Sequence, residues 1–215
     1  MSTKHIWEVK AKNTPLLKKK CSHCNSDRFY CSDKFRLNAQ KKNIDIWLIY
    51  RCVKCSSTYN MTVFSRIRTE SVSKELFNKF SENNTEIAWQ YAFSQEIKRK
   101  NNVETDLESV EYEILYNGIP VEDLISMESE IISFQIQCSF DFNIRISTVI
   151  RTCLGLSSSK LDLLLDSDTV YFNGKPLQKK YKIKNGDIVN IKKQALIDIY
   201  LIGKEDFFLN AVNDK

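Results

Sequence analysis

Two short cysteine pairs, Cys21-Ser-His-Cys24 and Cys52-Val-Lys-Cys55, stand in the first quarter of the chain. Each two-residue spacer lets one tight turn aim both sulfurs at a single point. Two such knuckles deliver the four thiolates that a tetrahedral Zn²⁺ site takes. The expected metal ligands are therefore Cys21, Cys24, Cys52 and Cys55, holding structural Zn²⁺. His23 lies inside the first knuckle and is a bystander, because four sulfurs already complete the shell. Lys18, Lys19, Lys20 and Lys54 flank the pairs and have two uses open to them: screening the thiolate charge or meeting an external polyanion. The other cysteines, Cys31, Cys138 and Cys153, sit on apolar-patterned stretches and read as small buried hydrophobes. An odd total of seven cysteines fits a reducing compartment better than a disulfide framework.

The elements that must position those sulfurs are strands. Ile6–Val9 alternates, residues 28–39 are rich in strand formers, Lys41-Lys-Asn43 reads as a turn, and Ile44–Tyr50 runs straight into Cys52. Tyr59–Phe64 closes the set. Knuckle, hairpin, knuckle and closing strand predict a zinc ribbon, and so small a sheet would depend on its metal to fold. Over residues 72–100 the period changes: Val72, Leu76, Phe77 and Phe80 recur at helical spacing, as do Ile87 to Ile97 on a broader face. Asn84 or Thr85 caps the second helix, and Lys98-Arg-Lys100 complements its C-terminal dipole. Strands follow at 110–116 and 131–138.

Length and composition bound the rest. At 215 residues, with 42% hydrophobic and 27% charged residues, the chain reads as folded and globular, long enough for one large or two to three small domains. The N-terminus lacks an apolar signal core and no apolar run reaches a membrane span, so the expected location is the cytoplasm, with no membrane partner. The net charge of +5 conceals segregation. Residues 1–70 hold 15 Lys/Arg against 5 Asp/Glu, residues 71–142 hold 5 against 14, and residues 143–215 hold 12 against 8. Two basic ends around an acidic middle fit nucleic acid, which basic surfaces attract through phosphate charge and counterion release.

The C-terminal pattern is the tightest. Ile146, Val149, Ile150, Cys153 and Leu154 mark one helix face that ends at Gly155. Ser157 caps a second helix with Leu161, Leu164 and Leu165 inward. Then come Thr169–Phe172, the turn Asn173-Gly174, a lysine-rich connection, Asn185-Gly-Asp187 and the strand Ile188–Ile191. Gly155-Leu-Ser-Ser-Ser-Lys160, Thr169-Val-Tyr-Phe-Asn-Gly-Lys175 and Gly186-Asp-Ile188, in that order, resemble the small RNA-binding module named after the fourth protein of the small ribosomal subunit. Ser158 stands where that module has an arginine, and Asp168 where it has a helix-exit glycine. The resemblance implies two helices on a small sheet and RNA contacts by the basic residues that remain: Arg145, Arg151, Lys160, Lys175, Lys179, Lys180, Lys192 and Lys193. Separately, Phe35-Arg-Leu-Asn-Ala-Gln-Lys-Lys42, Ile46-Trp-Leu-Ile-Tyr-Arg-Cys52 and Trp89-Gln-Tyr-Ala-Phe93 make the chain similar to an uncharacterised bacterial family, domain-of-unknown-function family ten-sixty-two. That family brings no activity with it.

The expected fold class is α+β: a zinc ribbon at 1–70, an acidic helix and strand connector at 71–142, an RNA-binding-like module at 143–195, and a last strand at Ile197–Ile202 with a loose tail within 196–215. The expected function is non-enzymatic, with RNA or the ribosome as partner through the two basic surfaces. Phe35, Trp47 and Tyr50 either stack on bases or fill the ribbon core. The competing expectation is a protein-interaction adaptor whose C-terminal module is only a scaffold. An enzyme is disfavoured because residues 71–142 show no nucleophile–base pair and the two histidines, His5 and His23, lie near the N-terminus.

Overall fold

The structure, a computed structural model, describes residues 5–141, 143–166 and 169–201. Asp168, Ile202 and the tail expected to be loose lie outside the described residues. In chain order the first elements are β1 (His5–Ala11), β2 (Leu16–Lys18), β3 (Arg28–Gln40), β4 (Asn43–Cys52), β5 (Thr58–Arg68), α1 (Lys74–Ser81), α2 (Thr85–Phe93), α3 (Gln95–Lys100) and β6 (Glu104–Asp106). Then follow β7 (Tyr112–Tyr116), α4 (Val121–Ser126), β8 (Ile131–Cys138), α5 (Ile146–Cys153), α6 (Ser158–Asp166), β9 (Val170–Phe172), β10 (Lys175–Pro176), β11 (Ile188–Lys192) and a helix over residues 193–201. The architecture is mixed α+β with two sheets. The chain divides into two compact units, one of Ala11–Glu111 and one of residues 5–10 with 112–201. The divide runs through the acidic stretch, whose helices α1 to α3 belong with the cysteine-bearing strands.

In the unit Ala11–Glu111 an antiparallel sheet of order β5-β4-β3-β2-β6 carries the core on one face. The period-2 pattern of β4 dictates this: Ile44, Ile46, Leu48, Tyr50 and Cys52 are buried, and the residues between them are more exposed. β3 and β4 form a long hairpin from Phe29↔Cys52 to Gln40↔Asn43, broken by a bulge between Cys31 and Lys34. Asp33 takes up the bulge at φ +55. The helices pack on the inner face, where Phe80 of α1 meets Phe35 edge-on at 4.8 Å and stacks on Tyr91 at 5.7 Å. Each helix starts on a side-chain cap: Ser73, Asn84 and Ser94 accept the N–H groups of Leu76, Ile87 and Ile97. The single helix expected over 85–100 is therefore two, because Ser94 leaves the helical region (ψ 119°) to cap α3. Asn101 then seals the free edge of β5: its Oδ1 accepts Thr62 N–H at 2.8 Å and its Nδ2 donates to Thr62 O at 2.8 Å. Phe35 and Tyr50 are core residues, at 8% and 0% exposure, so of the three aromatics offered for stacking only Trp47 lies outside it.

The second unit is a six-stranded sheet of order β10-β9-β11-β8-β1-β7, with β1 parallel to β8. Trp7 stacks on Phe134 at 4.0 Å, and Ile136, Ile146, Ile150, Leu164 and Val189 fill the core. Gly155 turns the chain out of α5 at φ +60, and Ser157 Oγ accepts Lys160 N–H at 3.3 Å to start α6. The predicted helices, the Asn173-Gly174 turn and the strand at 188–191 all form. The strand expected at Ile197–Ile202 does not: residues 193–201 are helical. Ala195, Leu196 and Ile199 are the buried positions, a helical spacing, and Gln194 Nε2 donates to Asp198 Oδ1 one turn on. The alternation of Ile-Asp-Ile-Tyr concealed that period.

Candidate metal centre

The register of β3 on β4 brings the two knuckles together. Phe29 opposite Cys52 sets the start of β3 beside the end of β4, so the β2–β3 loop with Cys21 and Cys24 faces the β4–β5 turn with Cys55. The knuckles close in the same way. Cys21 N–H donates to Ser26 O at 2.8 Å, and Cys52 N–H donates to Ser57 O at 2.9 Å, five residues on in each case. Ser56 follows the second pair at φ +58.

The four sulfur atoms lie within 4.8 Å of one another, with Cys21 Sγ to Cys55 Sγ 3.6 Å and Cys24 Sγ to Cys52 Sγ 3.5 Å. A Zn–S bond of about 2.3 Å in a regular tetrahedron requires sulfur–sulfur edges of roughly 3.8 Å. A disulfide would need about 2.05 Å. The spacing fits four sulfurs around one ion, and the residues present can hold a thiophilic metal. Cys21 and Cys52 are buried at 4% and 0% exposure, Cys24 is half-buried and Cys55 exposed.

Hydrogen bonds prepare the sulfurs for negative charge. The Ser57 hydroxyl, 3.2 Å from both Cys21 Sγ and Cys55 Sγ, and the N–H of His23 hold the Cys21 thiol below its ordinary value. Burial works against ionising Cys52, yet the N–H groups of Cys55 and Lys54 and the Ser26 hydroxyl bring it down to about 6. At Cys24 the Ser26 N–H favours the thiolate, but lost hydration and the crowd of neighbouring sulfurs push it up to about 12. Without a metal, four thiolates this close cannot all ionise; a divalent cation removes the conflict.

His23 contributes only its backbone N–H, and the metal-ligand grouping among the described residues contains the four cysteines alone. Lys19 is turned onto the Tyr59 ring at 4.6 Å. Ser26 and Ser57 escaped sequence reasoning. Their equal offset of five residues from Cys21 and Cys52 was the available signal. Cys31, Cys138 and Cys153 are buried, and burial pushes each thiol up, to about 12, 11 and 12.

The cations nominated in the C-terminal segment are spread over several places. Arg145 precedes α5 and bridges to Lys182, with exposed Lys180 nearby in the chain. Arg151 Nη1 donates to Ser158 Oγ at 3.5 Å, Lys160 is half-buried on α6, and Lys175 is exposed on β10. Lys179 pairs with Asp162 at 3.1 Å and Asp166 at 3.4 Å, which hold its ammonium above its ordinary value. Lys192 lies over the Tyr171 ring at 5.8 Å, and Lys193 Nζ donates to Met127 O at 2.8 Å. Lys182 and Lys184, both exposed, went unnominated.

Among the described residues no helix is long and apolar enough to cross a membrane. Comparison with curated proteins and with solved structures gives no match. A family model matches residues 37–176, a span that includes Cys52 and Cys55 and begins after Cys21 and Cys24. The resemblance carried by Phe35–Lys42, Ile46–Cys52 and Trp89–Phe93 thus has its counterpart: the chain belongs to the family described as Protein of unknown function (DUF1062).

Proposed function

We propose that this is a non-enzymatic zinc protein that binds RNA, free or within the ribosome, through basic surfaces of the cysteine-bearing ribbon and of the C-terminal module, with a structural Zn²⁺ centre holding the ribbon. The observation that carries the structural role is the closed donor set. Four cysteine sulfurs fill a tetrahedron and leave no position for the water or substrate that a catalytic zinc needs. The RNA reading is supported by the charge of residues 1–70, 15 Lys/Arg against 5 Asp/Glu, and by exposed Arg145, Lys175, Lys180 and Lys192 in the C-terminal segment. Residues 146–192 also keep the helix, helix, strand and Asn-Gly turn order of the ribosomal module they resemble.

A second reading, a protein-interaction adaptor built on a scaffold, draws on Lys179 and Lys193. Their charges already have partners inside the protein. Retention of structured RNA at low salt, and its loss as salt rises, separates the two. Charge reversal of Lys180 and Lys192 is expected to lower that retention. Salt-independent capture of protein without RNA would favour the adaptor.

A further inference from the structure

The outer face of the sheet in the unit Ala11–Glu111 carries three successive cross-strand rows. Tyr30 pairs with Arg51, Lys34 with Ile49, and Arg36 with Trp47. Each row sets one cation beside one ring or aliphatic chain. The period-2 burial of β4 turns all six away from the core, and the helices α1 and α2 pack on the opposite side with Phe35, Tyr50 and Phe80. Tyr30 is 40% exposed; Lys34, Arg36 and Arg51 are exposed and Trp47 is half-buried. Among the described residues none of the three cations has a carboxylate partner. The acids near this face are engaged: Asp27 pairs with Arg28 at 2.7 Å, Asp45 accepts Arg66 N–H at 2.8 Å, and Asp33, in the bulge between the first two rows, accepts the Cys31 thiol at 3.5 Å.

We propose that this face is a binding platform for single-stranded RNA, with bases stacked on Tyr30 and Trp47 and phosphates held by Arg51, Lys34 and Arg36. The proposal rests on the RNA reading above and gives it a site. Rings and guanidinium groups alternating on a pleated surface offer what an unpaired strand needs: a π-face for each splayed base and a cation for the intervening phosphate. Arg51 and Trp47, four residues apart on β4, are separated by roughly 13 Å, room for a short run of nucleotides between the rings. A duplex keeps its bases stacked inside and could use only the cations. An acidic protein would use the cations but gain little from the rings. Cys52, the residue after Arg51, pairs with Phe29 beside Tyr30, so one cysteine of the metal group lies on the platform's own hairpin.

The test is fluorescence anisotropy of the full-length zinc-loaded protein with a labelled short oligouridine and, in parallel, a hairpin RNA, across a salt series. Zinc content and melting temperature serve as folding controls. Oligouridine is expected to bind more tightly than the hairpin. Arg36→Gln with Arg51→Gln is expected to flatten the slope of log affinity against log salt by about 1.4, two single-strand phosphate contacts. Tyr30→Leu and Trp47→Leu are each expected to lose roughly tenfold, while Tyr30→Phe, which keeps the ring, stays near the parent. If oligouridine binds and these variants match the parent, the face is not the site although the RNA reading stands. Should the hairpin bind better, or polyglutamate displace oligouridine without regard to Tyr30 and Trp47, the single-strand platform is overturned. Failure of both RNAs to bind at low salt removes both the platform and the reading beneath it.

Discussion

Each sulfur of the four-cysteine group gains its affinity from its neighbours. Proton competition sets the sign of the pH dependence: four thiols must be deprotonated to bind, so affinity falls as pH falls and metal release takes up protons. Titrating zinc release with a chromogenic chelator from neutral to acid pH is expected to show that loss steepening on the acid side. Ser57→Ala removes the hydroxyl shared by Cys21 and Cys55, and we expect tighter proton competition and earlier zinc loss on acidification. Unchanged release would leave that hydroxyl without a role. Cys31→Ala is the control, since Cys31 lies in the core rather than in the metal group and its loss should leave zinc stoichiometry intact.

At the scale of elements, the strands around the cysteines were legible because period 2 and the knuckle spacing reinforce each other from Arg28 to Phe64. The C-terminal helices were legible because Gly155 and Ser157 mark a stop and a start. What escaped was short or disguised. β2 and β6 have three residues each, too few to show a period, and exist only by pairing with each other and with β3. The break at Ser94 is a cap inside an apolar run. The 193–201 helix was disguised by local alternation. The core is larger than that of the small ribbon expected, since α1 to α3 bring Phe80, Ile87, Ala92 and Ile97 into it. Phe80→Ala is accordingly expected to cost about 3–5 kcal/mol, read as a fall in chemical-denaturation midpoint. Asn101→Ala exposes the paired backbone of Thr62, and a loss of about 1–3 kcal/mol is expected in the same measurement. Near-parent midpoints would mean that helices and sheet do not form one core.

For the whole molecule, the segregated charge predicts behaviour that no single residue carries. On the proposed RNA reading, affinity for RNA is expected to fall steeply with salt, and a chain lacking its metal is expected to lose the proposed platform on the β3–β4 hairpin along with the knuckles. Removing one sulfur tests that link: Cys21→Ala or Cys52→Ala is expected to lower the melting temperature by roughly 10 °C or more, since 1 kcal/mol moves a 100-residue domain by about 4–8 °C. The most direct measurement is the metal content of clean, tag-free protein by elemental analysis, set beside the mass of the intact chain under native conditions. One zinc per chain in the parent, and none in the Cys21→Ala/Cys52→Ala variant, is the predicted result. Parent protein without stoichiometric metal, with all four of these thiols open to alkylation while folded, would contradict the account at its centre.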